Sequence, residues 1–256
     1  MNWKTFFALL SRDGHVARRN LLPMLLQNLL QPLLFTFVFG RVMTTSGIMP
    51  ASYKSLLLPG VMAISMVMAG VQAVAMPLIA EFQFTREIED RLLAPIEVGW
   101  LAVAKILTGM IQAMFAGLVV IPAAWLLMGS GLKIDFGKPV EFAVVCLLVA
   151  LFSSAGGLAL GCSVGQTQIG LMFSLVLAPM MMFGCAYYPW SALSAFPILQ
   201  IAVLFNPLVY ASEGLRGALA PQFPHINTLV VIGALVAIDG LLLVLGLKKF
   251  QGKAVT

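Results

Sequence analysis

With 61% hydrophobic residues, 10% charged residues and a mean hydropathy of +1.00 over 256 residues, the chain departs far from soluble domains, in which about a quarter of residues are charged. A fold surrounded by water is excluded, because uncharged apolar runs of about 20 residues match the thickness of hydrocarbon rather than any need of a soluble core. The net charge of +5 is modest and its basic residues stand in short groups beside apolar runs, which argues against nucleic acid as a partner.

The amino-terminal stretch 2–19 places Trp3, Phe6, Phe7 and Leu10 on one stripe, with Lys4, Arg12, His15 and Arg19 off it. This spacing predicts an amphipathic helix in the inner headgroup plane, serving as an anchor or also as a contact for a cytoplasmic partner. The charges in this stretch break the apolar core that a cleaved secretory signal needs, so the stretch is expected to be retained.

Apolar runs then predict six transmembrane helices near Leu21–Met43, Leu56–Ala80, Trp100–Gly129, Val140–Val164, Ile169–Ala186 and Ile226–Leu247. The expected fold is an all-α integral membrane protein forming a single membrane domain over 1–256. Lys4, Arg12, Arg18, Arg19, Arg86, Arg91, Lys105, Lys248, Lys249 and Lys253 fall on one side of these spans. Arg41, Lys54, Lys133, Lys138 and Arg216 fall on the other. Ten against five places both termini in the cytoplasm, since Lys and Arg are retained there. Trp100, Tyr187, Tyr188 and Trp190 lie near span ends, where amphipathic rings settle at headgroup level.

The loop 81–95 after the second span holds the densest charge cluster. Thr85 is a suitable N-cap, Glu87, Glu89 and Asp90 suit the positive start of a helix, and Pro95 ends it. The result is a two-turn cytoplasmic helix. Ile88, Leu92 and Leu93 share one side of it, bordered by Arg86, Glu87, Glu89, Asp90 and Arg91, a pattern that fits either a solvated loop helix or docking into a cleft of another protein.

In the fourth span, Ser153, Gly157, Gly161 and Gly165 recur every four residues and predict a close helix contact. Gly161-Cys162-Ser163-Val164-Gly165 also fits the pattern around a serine nucleophile. An intramembrane serine protease is disfavoured, because the two histidines, His15 and His225, lie on a surface helix and at the opposite membrane face, beyond the roughly 3 Å that a base must reach. Met172, Met180, Met181 and Met182 in the fifth span offer either an adaptable surface or lipid-facing filler. Cys146, Cys162 and Cys185 lack the spacing of a metal site or disulfide framework, so no metal is expected.

The stretch 187–219 is interrupted by Pro189, Pro197 and Pro207 and reads as re-entrant or as short outer helices. Within it Glu213 and Arg216, three residues apart, are expected to form a structural ion pair. Asp239 lies near the middle of the last span. Gln31, Gln72 and Gln112 lie at comparable depth on other spans, within a candidate substrate path, and are suited to hydrogen-bonding it. Asp239 also supports a rival reading as a proton-coupled secondary transporter or channel, although no basic partner or inverted repeat accompanies it.

Leu92-Leu93-Ala94-Pro95-Ile96 after the charged turn, and Tyr188-Pro189 through Asn206-Pro207-Leu208 to Glu213-Gly214-Leu215-Arg216, resemble the membrane (permease) subunit of type-2 ATP-binding-cassette (ABC) transporters. That family includes bacterial drug, lipo-oligosaccharide and polysaccharide exporters. The resemblance implies an interface helix at 2–19 and a coupling helix within 81–95 whose Arg86–Leu92 stretch contacts the ATPase. It also implies short outer helices before the last span, and a dimer of two permease copies with two separate ATP-binding subunits in the cytoplasmic (inner) membrane. Neither Gly137-Lys138-Pro139 nor Gly252-Lys253-Ala254 continues a phosphate-binding loop. The chain is therefore expected to carry no catalytic residue and no cofactor, with ATP and Mg held by the partner subunit. Few charges line the spans, which suits an apolar or amphipathic cargo such as a drug, lipid or lipid-linked saccharide.

Overall fold

The computed structural model describes residues 21–82, 98–129 and 131–255. The expected helix at 2–19 and most of the loop 81–95, including Arg86–Leu92, lie outside the described residues. Helix α1 (Leu21–Phe37) continues through a π-helical turn, Val38–Val42, into Met43–Thr45. Pro32 sits inside it, and Thr36 donates to the Pro32 carbonyl at 2.8 Å. After α2 (Tyr53–Ala80) come α3 (Val98–Met128) and α4 (Pro139–Ser163). Helix α5 occupies Ile169–Met182 with a π-helical centre at Met172–Leu177. A 3₁₀ turn at Trp190–Ala195, α6 (Pro197–Ala202), α7 (Pro207–Leu219) and α8 (Thr228–Val255) complete the order, and no strand occurs among the described residues.

Among the described residues four helices are long and apolar enough to cross a membrane: α2, α3, α4 and α8. The pair Pro197–Phe205 and Pro207–Leu219 meets at a 96° bend and makes a fifth if counted as one span. The protein is thus an all-α, multi-pass membrane protein. Helix α5 is shorter than the expected Ile169–Ala186 run: its 14 residues reach only about 21 Å at 1.5 Å per residue. Its helix stops at Met182, and the chain turns through Cys185, a non-glycine residue with φ of 51°.

Helix α2 is the axis of the bundle, buried on nearly every side from Ser55 to Val67. Hydrophobicity all round a helix, with no polar face, is what such a central position requires. Its neighbour α4 brings the small face expected from its sequence: a Cβ on Gly157 would stand 2.8 Å from the Val71 carbonyl oxygen, and one on Gly161 would stand 3.0 Å from Ala75 Cα. Ser153 of the same face meets Gly70. Gly165 lies beyond the end of α4 at Ser163. Without a hydrophobic drive between helices in lipid, this close backbone approach supplies the dispersion contact that holds α2 to α4.

Helix α7 packs among α2, α4 and α8 and is buried over almost its whole length. Asn206 explains its start. The residue is extended, as one preceding proline must be, its side-chain oxygen accepts from the Leu208 amide at 3.0 Å, and Pro207 occupies the first turn, where no amide is missed. The Asn206 amide group also donates to the Met180 carbonyl at 2.7 Å, fastening the bend to α5.

Candidate functional site

Among the described residues three places hold ionisable side chains out of water. At the end where α2 leads into the loop 83–97, the Lys105 ammonium of α3 donates to the Glu81 carboxylate, both side chains being more than 90% buried. This pair ties the exit of α2 to the entry of α3. Phe82 stacks edge-on against Phe250 of α8 at 6.0 Å, and Lys253 holds its ammonium 4.8 Å from the Phe82 ring centre. Phe250 is fully buried among Val74, Leu78, Leu101, Ile106 and Leu158, so it closes the gap between α2, α3 and α4.

The same end shows how α4 terminates. Lys253 donates to the Cys162 carbonyl at 3.1 Å and Lys249 donates to the Ser163 hydroxyl at 2.7 Å. Two cations therefore sit on the negative end of a helix, where unsatisfied carbonyls favour them. The Ser163 hydroxyl donates in turn to the Ala159 carbonyl, which commits its proton within the helix. His225 lies at the opposite end of α4, beside Glu141 and Gly217. Glu141 and Ser163 are separated by about 33 Å of helix, so no imidazole among the described residues serves Ser163.

The second place is the turn held by α7. Arg216 donates through Nη1 to Glu213, and both side chains are fully buried. Glu213 also accepts from the Trp190 amide at 2.8 Å and the Ile226 amide at 3.0 Å, while Arg216 Nη2 donates to the Cys185 carbonyl at 2.8 Å. One ion pair thereby fixes the segment after α5, the start of the 3₁₀ turn and the approach to α8. The i, i+3 spacing pointed to the pair itself. Its three backbone partners come from residues 13 to 31 positions away and leave no pattern in sequence.

The third place is Asp239, which is 3% exposed on α8. Among the described residues no donor reaches either carboxylate oxygen. The expected bonds from Gln31, Gln72 and Gln112 are therefore not made: Gln31 lies on an exposed face of α1, and Gln72 and Gln112 are half-buried. The reason is helical phase. Asp239 falls on the stripe of α8 that meets α4, between Thr228, which donates to Glu141 at 2.6 Å, and Gly246, which touches Leu158. An unpartnered buried polar group costs about 1–3 kcal/mol. Asp239→Leu is thus expected to raise the stability of the detergent-solubilised protein by about that amount; a drop in its thermal midpoint would show that the carboxyl has a stabilising partner.

Glu213, Arg216 and Asp239 stand out in the sequence, whereas Lys105, Lys249 and Lys253 enter there as charges that set orientation, with no partner assigned to them. Lys105 carried a usable signal, because an ionisable residue inside an apolar run must find a partner. Phe82 and Phe250 carried none, being two aromatics in a chain with 17 phenylalanines. The three cysteines are free and buried, and no cluster of three or more metal-binding side chains occurs among the described residues.

The family model for the ABC-2 type transporter matches residues 4–220. Comparison with curated proteins and with solved structures returns no significant match. The matched residues take in the loop between α2 and α3, the bend at Asn206 and the whole of α7, while α8 lies beyond them. With most of its length matched, the chain belongs to the ABC-2 type transporter family as a membrane-spanning permease.

Proposed function

We propose that this permease is the membrane subunit of an ATP-driven exporter, in which a separate ABC ATP-binding subunit hydrolyses ATP and a second permease copy completes the path. ATP binding closes the ATPase subunits, the helix within 81–95 moves with them, and an apolar or amphipathic cargo leaves outward between the two permeases. Both termini lie in the cytoplasm and the membrane is the cytoplasmic (inner) one. The observation that carries this reading is the family membership over 4–220, a range that includes the charged stretch around Ile88 and Leu92. The absence of a phosphate-binding loop in the sequence supports a separate ATPase. The buried Glu81–Lys105 pair supports a loop whose base is firm enough to pass on a displacement.

Gln31, Gln72, Gln112 and Asp239 remain the polar groups at the depth of a substrate path, and Asp239 is also where a proton-coupled carrier would have its acid. Ile88→Asp combined with Leu92→Asp places two charges where a cleft expects apolar contact. Co-purification of the ATPase subunit should fall roughly tenfold or more, the scale of losing a central apolar anchor. Undiminished association and transport in this variant would remove the coupling assignment.

A further inference from the structure

The cytoplasmic end of α8, in the orientation proposed above, holds the end of α2 through contacts that packing alone does not require. Phe250 fills the gap between α2, α3 and α4. Phe82, two residues beyond α2, lies between Phe250 and the Lys253 ammonium, 6.0 Å from the first ring centre and 4.8 Å from the second group. Lys253 is itself held by the Cys162 carbonyl at 3.1 Å, so its charge is fixed over the ring rather than swinging free. An aromatic edge contact and a cation over a ring face are both directional. They lose energy when the ring tilts, whereas a slab of aliphatic side chains would slide.

We propose that Phe82, Phe250 and Lys253 form a clamp that makes α8 follow the end of α2, so that a displacement produced at the ATPase contact is delivered to the last helix and to Asp239 within it. The clamp rests on the exporter reading above and extends it to a helix outside the matched residues 4–220. Its members are positioning residues: they transmit movement and touch neither ATP nor cargo. Helix α8 is suited to receive such a movement, since much of its surface is exposed along Leu229, Val230, Val236, Leu241 and Val244. Its inner stripe alone is fixed by neighbours, from Leu235 through Asp239 to Phe250.

The test uses the permease co-expressed and purified with its ATPase subunit and placed in lipid nanodiscs. A spin label on Gln251→Cys, an exposed site beside the clamp, reports movement of α8 between the nucleotide-free state and the state trapped with ATP and vanadate. The parent and Lys253→Arg, which keeps a cation over the ring, should show the same nucleotide-dependent change. Phe82→Leu with Lys253→Gln should show a change roughly threefold smaller, the scale of a lost cation–π contact at a partly exposed site. Assembly and ATP hydrolysis of every variant are measured in parallel with the label. Lys253→Gln alone, which leaves all the aromatic packing in place, should also show a reduced change, and it decides the matter if the double variant fails to assemble. An undiminished change in these variants, or no change in a parent complex that hydrolyses ATP, would overturn the clamp. Failure of any ATPase subunit to bind the parent would instead remove the exporter reading and the clamp with it.

Discussion

Arg216→Ala is expected to destabilise the protein by about 3–5 kcal/mol, because it leaves the Glu213 charge buried without its counter-charge. The loss extends past the ion pair. Arg216 also holds the Cys185 carbonyl, and Cys185 sits at φ of 51°, a conformation that side chains beyond glycine adopt at a cost. Without the guanidinium this turn has lost a donor that fixed it, and the ends of the 3₁₀ turn and of α8 stay attached to a carboxylate that now prefers water. Thermal or denaturant unfolding in detergent, followed by tryptophan fluorescence, reads the change, since Trp190 donates its amide to Glu213. The double variant Glu213→Gln with Arg216→Met should recover a large part of the loss, because a neutral pair removes the uncompensated charge while an amide oxygen still accepts. Equal instability of the single and double variants would show that packing, not charge, dominates the site.

Gly60→Ala is the second large effect. A Cβ at Gly60 would stand 1.8 Å from the Ala186 carbonyl oxygen and within 2.5 Å of two further backbone atoms of that residue. No rotamer relieves a clash between two backbones, so either α2 shifts along its length or the turn after α5 moves away. Both are tied down: Tyr53 of α2 donates to the Tyr187 carbonyl at 2.7 Å, and Arg216 holds Cys185. The expected cost is at the upper end of overpacking, about 3 kcal/mol, with a loss of folded yield on expression. Gly233→Ala on α8 is the contrast. Nothing lies within 4 Å of its added Cβ, and a helical alanine is favoured over glycine by up to about 1 kcal/mol. A Gly60→Ala protein as stable as the parent would mean that α2 and the Ala186 turn do not approach as closely as the fold requires.

These effects show which features could be read from sequence. Long apolar runs gave α2, α3, α4 and α8, because the bilayer imposes a minimum apolar length that composition displays directly. The run after Ile169 is apolar as far as Ala186, whereas the helix ends at Met182 and the backbone turns at Cys185. Hydropathy cannot distinguish a spanning helix from a buried apolar turn. The glycine spacing on α4 was legible because it repeats on one face. Gly60 was not, since its need arises from a turn more than a hundred residues away.

The same division applies to function. The charged turn with Leu92-Leu93-Ala94-Pro95, and the Asn206-Pro207 to Arg216 stretch, carried the family resemblance. Both fall within the matched residues. Asp239 was visible as a lone acid in an apolar run, but its phase toward α4 rather than toward Gln31, Gln72 or Gln112 depends on how five helices rotate against each other. Lys105 and Lys253 were counted as charges at span ends. Their roles as partners of Glu81 and Phe82 exist only once α3 and α8 converge on the end of α2.

A permease of an ATP-driven exporter works only together with its separate ATPase. The chain should be expressed with and without a candidate ABC ATP-binding subunit, purified through a tag on the permease, and assayed for the co-purified subunit and for ATP hydrolysis. A stable complex that hydrolyses ATP, with neither property in the permease alone, is the predicted result. A permease that binds no ATPase subunit and still moves protons or solute in liposomes would contradict the account and place the transport chemistry at Asp239.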